Sequence, residues 1–289
     1  MTQGGGRIIR AADPEYPLLL RELPDMPEEL YIRGTLPDLA RPALAIVGTR
    51  RLTAYGKEWT ERITNDLAQA DMLIISGMAR GIDAIGHRAA LLHNVPTIAV
   101  LGTGCDDESI FPQEHLPLTH EIIENGGCLI SEYPPGTHGS KMTFPERNRI
   151  IAGLTLGTLV TEAPVGSGAL ITAEFALDYN REVFTIPHPL GNWSGEGCNN
   201  LLHDGAHLVR SAQDIFDVLR LEINKDKKTI KGTNETETKI LAALSHEPLH
   251  VDALILATGL SSRDLATALS LLELRGAVKN VGEMKFALH

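Results

Sequence analysis

Ala43-Leu44-Ala45-Ile46-Val47-Gly48-Thr49-Arg50 decides the fold. Five consecutive apolar residues, too few for a helix, run into a glycine, and an amphipathic segment follows over 56–69. An apolar run without alternation is the pattern of a strand buried on both faces. The same cadence returns along the chain. Strands are expected at 43–47, 72–76, 97–101, 128–132, 158–162 and 183–186, with helices at 56–69, 82–93, 116–125, 145–154 and 169–179. Short apolar strands alternating with helices predict an α/β fold, a doubly wound parallel sheet of Rossmann-like type over 43–222, closed by a helix at 211–222.

Working outward, residues 1–42 hold three proline-containing patches around Leu30-Tyr31-Ile32 and read as a lead-in of short helix and strand, packed on the core, rather than a domain. The polar stretch 223–234 reads as a linker. Beyond it, over 235–289, helices at 237–244, 251–258 and 262–275, a stop at Gly276 and a hairpin of 278–281 with 284–288 give the order of a winged helix. Leu269, Leu272 and Leu274 are expected in its core.

The 289 residues carry 26 Lys and Arg against 37 Asp and Glu, a formal charge of −11 that argues against a general polyanion binder. It does not exclude a basic site on an acidic body. Cys105, Cys128 and Cys198 form no CxxC and suggest neither a disulfide framework nor a thiolate zinc site. The opening MTQGGGRIIR has no apolar leader and no run approaches a membrane span, so a cytoplasmic, soluble protein is expected.

In a doubly wound sheet, ligands dock beyond the carboxyl ends of the strands. Four turns there are rich in glycine: Gly48-Thr49-Arg50-Arg51, Ser76 to Gly81, Gly102-Thr103-Gly104 and Val165-Gly166-Ser167-Gly168. They either cradle an anion jointly or merely permit tight turns. The dinucleotide fingerprint fails, because Asp107 and Ile171 stand where its third glycine belongs, and His87 stands where a Walker A loop needs lysine. HExxH is absent, since His120 is followed by Glu124 at the fourth position, and Ser167 has no nucleophile elbow. No cofactor, metal or catalytic residue is therefore expected.

The stretch Lys141-Met142-Thr143-Phe144-Pro145-Glu146-Arg147-Asn148-Arg149 sets three cations against one acid. Pro145 suits the first turn of a helix, which would put Phe144 at its mouth and send Arg147 and Arg149 out from the first turn and a half. Arginine and lysine contact phosphates and phenylalanine stacks a base, whereas the plainer alternative is a solvated turn with Phe144 in the core.

Four motifs in one order, Ala45 to Arg50, Ser76 to Asp83, Phe144 to Leu154 and Glu162 to Ala173, resemble the bacterial DNA-processing protein A family, DprA or Smf. The resemblance runs from about Tyr16 to Leu219. It implies a non-enzymatic protein that binds single-stranded DNA, protects it during natural transformation, helps load the RecA recombinase and forms a homodimer through this core. Carried over by position, it implies a DNA site made of Gly48, Thr49, Arg50, Arg51, Gly77, Gly81, Lys141, Phe144, Arg147, Asn148, Arg149, Gly166, Ser167 and Gly168. Asp83 is expected to bond nearby backbone amides. Ahead of the core the separate helical domain of common family members is not expected, and the C-terminal module resembles their winged helix. With five Lys and Arg against seven Asp and Glu over 233–289, that module is expected to contact protein rather than duplex DNA.

Two other readings stand beside this one. Glu162 and Glu174 resemble the acids of nucleotide-hydrolysing Rossmann enzymes, although Ala163 to Gly168 replaces the glycine signature of that group. The third is a regulator whose winged helix reads duplex DNA while the core senses a ligand.

Overall fold

A computed structural model of the chain describes residues 6–221, 234–244, 248–274, 277–282 and 284–288. The expected linker lies outside them except for Asn234, as do Arg275 and Gly276 and the side chain of Leu274. The chain divides into two compact units, Met1–Ile223 and Asn224–His289.

Along the first unit run β1 (Arg7–Arg10), α1 (Leu18–Arg21), β2 (Glu29–Gly34), β3 (Ala43–Val47), α2 (Ala54–Gln69), β4 (Leu73–Ser76), α3 (Ile82–Leu92), β5 (Thr97–Leu101) and α4 (Leu116–Glu124). Then come β6 (Cys128–Ser131), α5 (Thr143–Gly153), β7 (Gly157–Val160), α6 (Gly168–Asp178), β8 (Glu182–Thr185), α7 (Glu196–His203), β9 (His207–Leu208) and α8 (Ala212–Leu219). Among the described residues, these strands form one sheet in the order β1-β2-β6-β5-β4-β3-β7-β8-β9, parallel from β6 to β9.

The burial of β3 explains its composition. Ala43, Ala45 and Val47 face one apolar cluster, with Ile150, Ile151 and Ala173 from α5 and α6. Leu44 and Ile46 face the other, with Ile63, Leu67 and Ile82 from α2 and α3. Every position of the strand is buried, which is why no polar alternation is seen.

One part of the sequence reading changes. The first 42 residues are not only a lead-in: β2 pairs antiparallel with β6, Tyr31 opposite Ser131 and Gly34 opposite Cys128, and β1 pairs with β2. Leu30 and Ile32 of β2 are fully buried, so this segment completes the core and covers an edge of the parallel sheet. The sheet is thus parallel with a two-stranded antiparallel margin.

Helix starts follow local chemistry. The Thr53 hydroxyl accepts from the Gly56 amide at 3.1 Å to cap α2, and Ser211 and Asp214 form a reciprocal capping box on α8. Gly81, at φ +79°, opens α3, and a side chain there would collide with the Thr49 carbonyl.

The second unit holds α9 (Glu235–Ala243), β10 (Leu249–His250), α10 (Val251–Thr258), α11 (Ser262–Leu274), β11 (Val278–Asn280) and β12 (Lys285–Leu288). Its sheet runs β10-β12-β11, and Ile240, Leu254, Leu265, Leu269 and Leu272 fill its core. Helix, strand, two helices and a hairpin make the winged helix that the sequence order predicts. The short β10 is an addition to that order. Among the described residues no helix is long and apolar enough to cross a membrane.

Candidate nucleic-acid interface

The connections from β3 and β7 leave in opposite directions, so the crevice of this sheet opens between their carboxyl ends. Three turns are fastened together there. The Thr49 amide donates to the Glu162 carbonyl at 2.7 Å, and the Ile82 amide to the Thr49 carbonyl at 3.4 Å. Beneath them the fully buried Glu162 carboxylate accepts from the Thr53 amide at 2.9 Å, the Thr53 hydroxyl at 2.8 Å and the Ser194 hydroxyl at 2.7 Å. Glu162 is therefore a clamp at the start of α2, where a carboxylate also suits the helix dipole. Glu174 is exposed on α6, so the two acids do not form a site.

Beside the crevice, over β3, β4 and β5, lies a cleft of about 420 Å³ lined by Arg50, Gly77, Ala79, Arg80, Phe111, Pro112, Phe144 and Arg147. No carboxylate is in the lining, although Arg80 reaches out to Glu114 through two bonds of 2.7 Å. Phe144 is half-buried, its ring 5.5 Å from that of the exposed Phe111 and 6.0 Å from the Arg50 guanidinium. The ring rests on glycine backbone, since a Cβ on Gly102 would come within 2.9 Å of Phe144 Cδ1. The Gly102 turn therefore seats the aromatic rather than a phosphate.

The two arginines of the basic block part company. Residues two apart on a helix point about 200° apart. Arg147 is buried: Nη1 donates to the Gly77 carbonyl at 2.7 Å and to the Val100 carbonyl, and Nε donates to Asn148 Oδ1 at 3.2 Å. Arg149 lies outside the cleft lining, bonded to both Glu132 oxygens at 2.7 and 2.8 Å with Asp25 at 3.6 Å. The expectation that both arginines reach out to phosphates is corrected by this placement: Arg147 forms cleft floor and Arg149 holds the N-terminal segment. The helix begins at Thr143, two residues before the sequence reading, because the Ser140 hydroxyl accepts from the amides of Met142 and Thr143.

Asp83 bonds the amides of Gly77 and Ala79, both at 3.2 Å, as expected. Burial pushes its carboxyl above the usual range, with Arg147 opposing. The same burial lowers Arg147 to about 10, leaving it charged at neutral pH. Gly77 is pressed between them; a Cβ would lie 2.6 Å from Arg147 Nη2 and 2.8 Å from Asp83 Oδ2.

Of the other expected residues, Arg50, Arg51 and Lys141 are exposed and, among the described residues, form no ion pair. The Thr49 hydroxyl accepts from the Arg51 amide at 3.1 Å. Gly48 is a packing glycine against Ile82, and Asn148 donates to the Gly168 carbonyl at 3.1 Å. Ser167 caps α6, while Gly166, at φ +77°, and Gly168 face open space outside the cleft lining. Sequence reasoning missed Phe111, whose loop carries no basic neighbour to mark it.

The cysteines are buried and free, and burial pushes Cys105 up to about 12 and Cys198 to about 11, so none is a poised thiolate. Among the described residues no cluster could hold a metal.

A Rossmann-like core with a basic, aromatic cleft at its strand ends, followed by a winged helix, defines a class, and comparison gives the family. The chain matches the family DNA recombination-mediator protein A over residues 7–220 and the DprA winged helix domain over 225–283. It belongs to the DNA recombination-mediator protein A family. DNA processing protein DprA of Streptococcus pneumoniae is 41% identical over 71% of each chain, and Protein Smf of Synechocystis is 36% identical over 98% of this chain and 80% of that one. The Streptococcus pneumoniae structure aligns at a TM-score of 0.68 with 38% identity, covering 73% of each chain. DNA processing protein A of Helicobacter pylori, solved to describe its single-stranded DNA binding mode, aligns at 0.67 with 30% identity over 76% of this chain and 98% of that one.

Proposed function

We propose that this chain binds single-stranded DNA across the cleft at the carboxyl ends of β3, β4 and β5. The observation that carries the reading is the Phe111 and Phe144 pair beneath the exposed guanidinium of Arg50, with Lys141 and Arg51 exposed as well. An unpaired base meets the aromatic pair, and its flanking phosphates meet Arg50, Arg51 and Lys141. Such contacts are largely sequence-blind, since every base has a π-face. The single-strand binding described for the Helicobacter pylori relative supports it.

Catalysis is no part of this reading. The bonding of Glu162 to Thr53 and Ser194 at the start of α2 supports a positioning role for this acid rather than the hydrolytic alternative. Family membership supports a role in handling DNA taken up during natural transformation, inside the cytoplasm, as a homodimer that passes the strand to the RecA recombinase. Two clefts on one strand would lengthen its residence by raising effective concentration. The exposed face of α11 offers Arg263 beside Asp264 and few other charges, so the winged helix is assigned to protein contact.

A gel shift with single- and double-stranded oligonucleotides of one sequence tests the proposal. Preferential retardation of the single strand is expected; equal or stronger duplex binding contradicts it.

A further inference from the structure

Trp193, one of two tryptophans in the chain, is 67% exposed, yet the backbone carrying it is locked. The Asn192 side chain accepts from the Ser194 amide at 3.2 Å, Ser194 is buried, and Gly195 packs so closely beneath His188 that a side chain would collide with the imidazole. A large ring held out by a rigid turn is surface presented for contact. Leu190 and Val165 are also exposed, and the Gly197 amide at the start of α7 donates to the Ala163 carbonyl at 2.9 Å, tying the helix that follows Trp193 to the turn after β7.

The turn is also continuous with the cleft. The Ser194 and Thr53 hydroxyls donate to the same oxygen of Glu162, at 2.7 and 2.8 Å. Trp193 is next to Ser194, and Arg51, exposed and without an ion pair among the described residues, is two residues from Thr53. The negative charge that joins the two segments is fully buried, and Arg50 and Arg51 stand exposed at its β3 side.

We propose that Trp193 is a second base-stacking platform, extending the single-strand path from the Arg50 cleft over the carboxyl ends of β3 and β7. This rests on the reading of the cleft as a single-strand site. Glu196, the exposed acid that opens α7, disfavours phosphate at this turn, so the contact is ring on base with the phosphate held at Arg51.

The full chain with Trp59→Phe leaves Trp193 as the only fluorophore of its kind. An oligo-dT of about 20 nucleotides should quench its emission with the midpoint seen by gel shift, whereas one of about 4 nucleotides, long enough only for the cleft, should not. Trp193→Ala should weaken binding of the long strand roughly tenfold, and Trp193→Phe should retain it. Binding of the long strand with unchanged emission, or with unchanged affinity in Trp193→Ala, overturns the platform and leaves the cleft reading intact. Emission that follows protein concentration but not DNA assigns the turn to a second copy of the chain and also overturns it. Absence of binding by every oligonucleotide overturns both readings.

Discussion

Arg147 and Asp83 hold the same residue from its two sides: Arg147 Nη1 donates to the Gly77 carbonyl at 2.7 Å, and the Gly77 amide donates to Asp83 Oδ2 at 3.2 Å. The central cation of the basic block is thus consumed inside the protein, holding the β4 turn that floors the cleft. Replacing it with alanine leaves the Asp83 carboxylate buried without its neighbouring charge. Arg147→Ala should destabilise the fold by about 3 kcal/mol or more, read from the urea midpoint. Arg50→Ala, on an exposed side chain, should change stability by no more than about 0.5 kcal/mol.

Phe144 is expected to act through its face. Phe144→Ala should weaken oligo-dT binding by about 1–3 kcal/mol, and Phe144→Leu, which refills the seat on Gly102 without a π-system, should recover stability but not affinity. A leucine variant that binds as the wild type does would show that Phe144 only fills space.

His87 gives the fold a built-in pH dependence. It is fully buried, with Nδ1 2.8 Å from the Thr97 hydroxyl, and burial lowers it to about 3, so the folded state holds it neutral. The unfolded chain takes up this proton below about 6.5. Stability from this group is complete above that value and falls by about 1.4 kcal/mol per pH unit as acidity increases towards 3. His87→Gln should flatten the stability profile by about one proton in that window, measured by denaturant titration at a series of pH values.

The strands from β3 to β8 were legible because each is a short apolar run buried on both faces, a pattern local to four or five residues. The lead-in was legible as short helix and strand, but the place of β2 in the main sheet was not, because it rests on register with β6, about a hundred residues away. At the site, the sequence named the basic block but not its sidedness. The signal was present: Ile150, Ile151 and Leu154 stand three, four and seven positions after Arg147, so Arg147 shares the buried face of α5 and Arg149 cannot. Phe111 and Trp193 carried no such mark, because exposure of a single aromatic in a loop depends on the packing of its neighbours.

Salt titration of oligo-dT binding tests the central claim most directly. If Arg50 and Lys141 neutralise phosphates, Arg50→Ala and Lys141→Ala should each lower affinity and reduce the slope of log K against log salt by about 0.7 for each phosphate no longer neutralised. Wild-type affinity and slope in both variants would contradict the account.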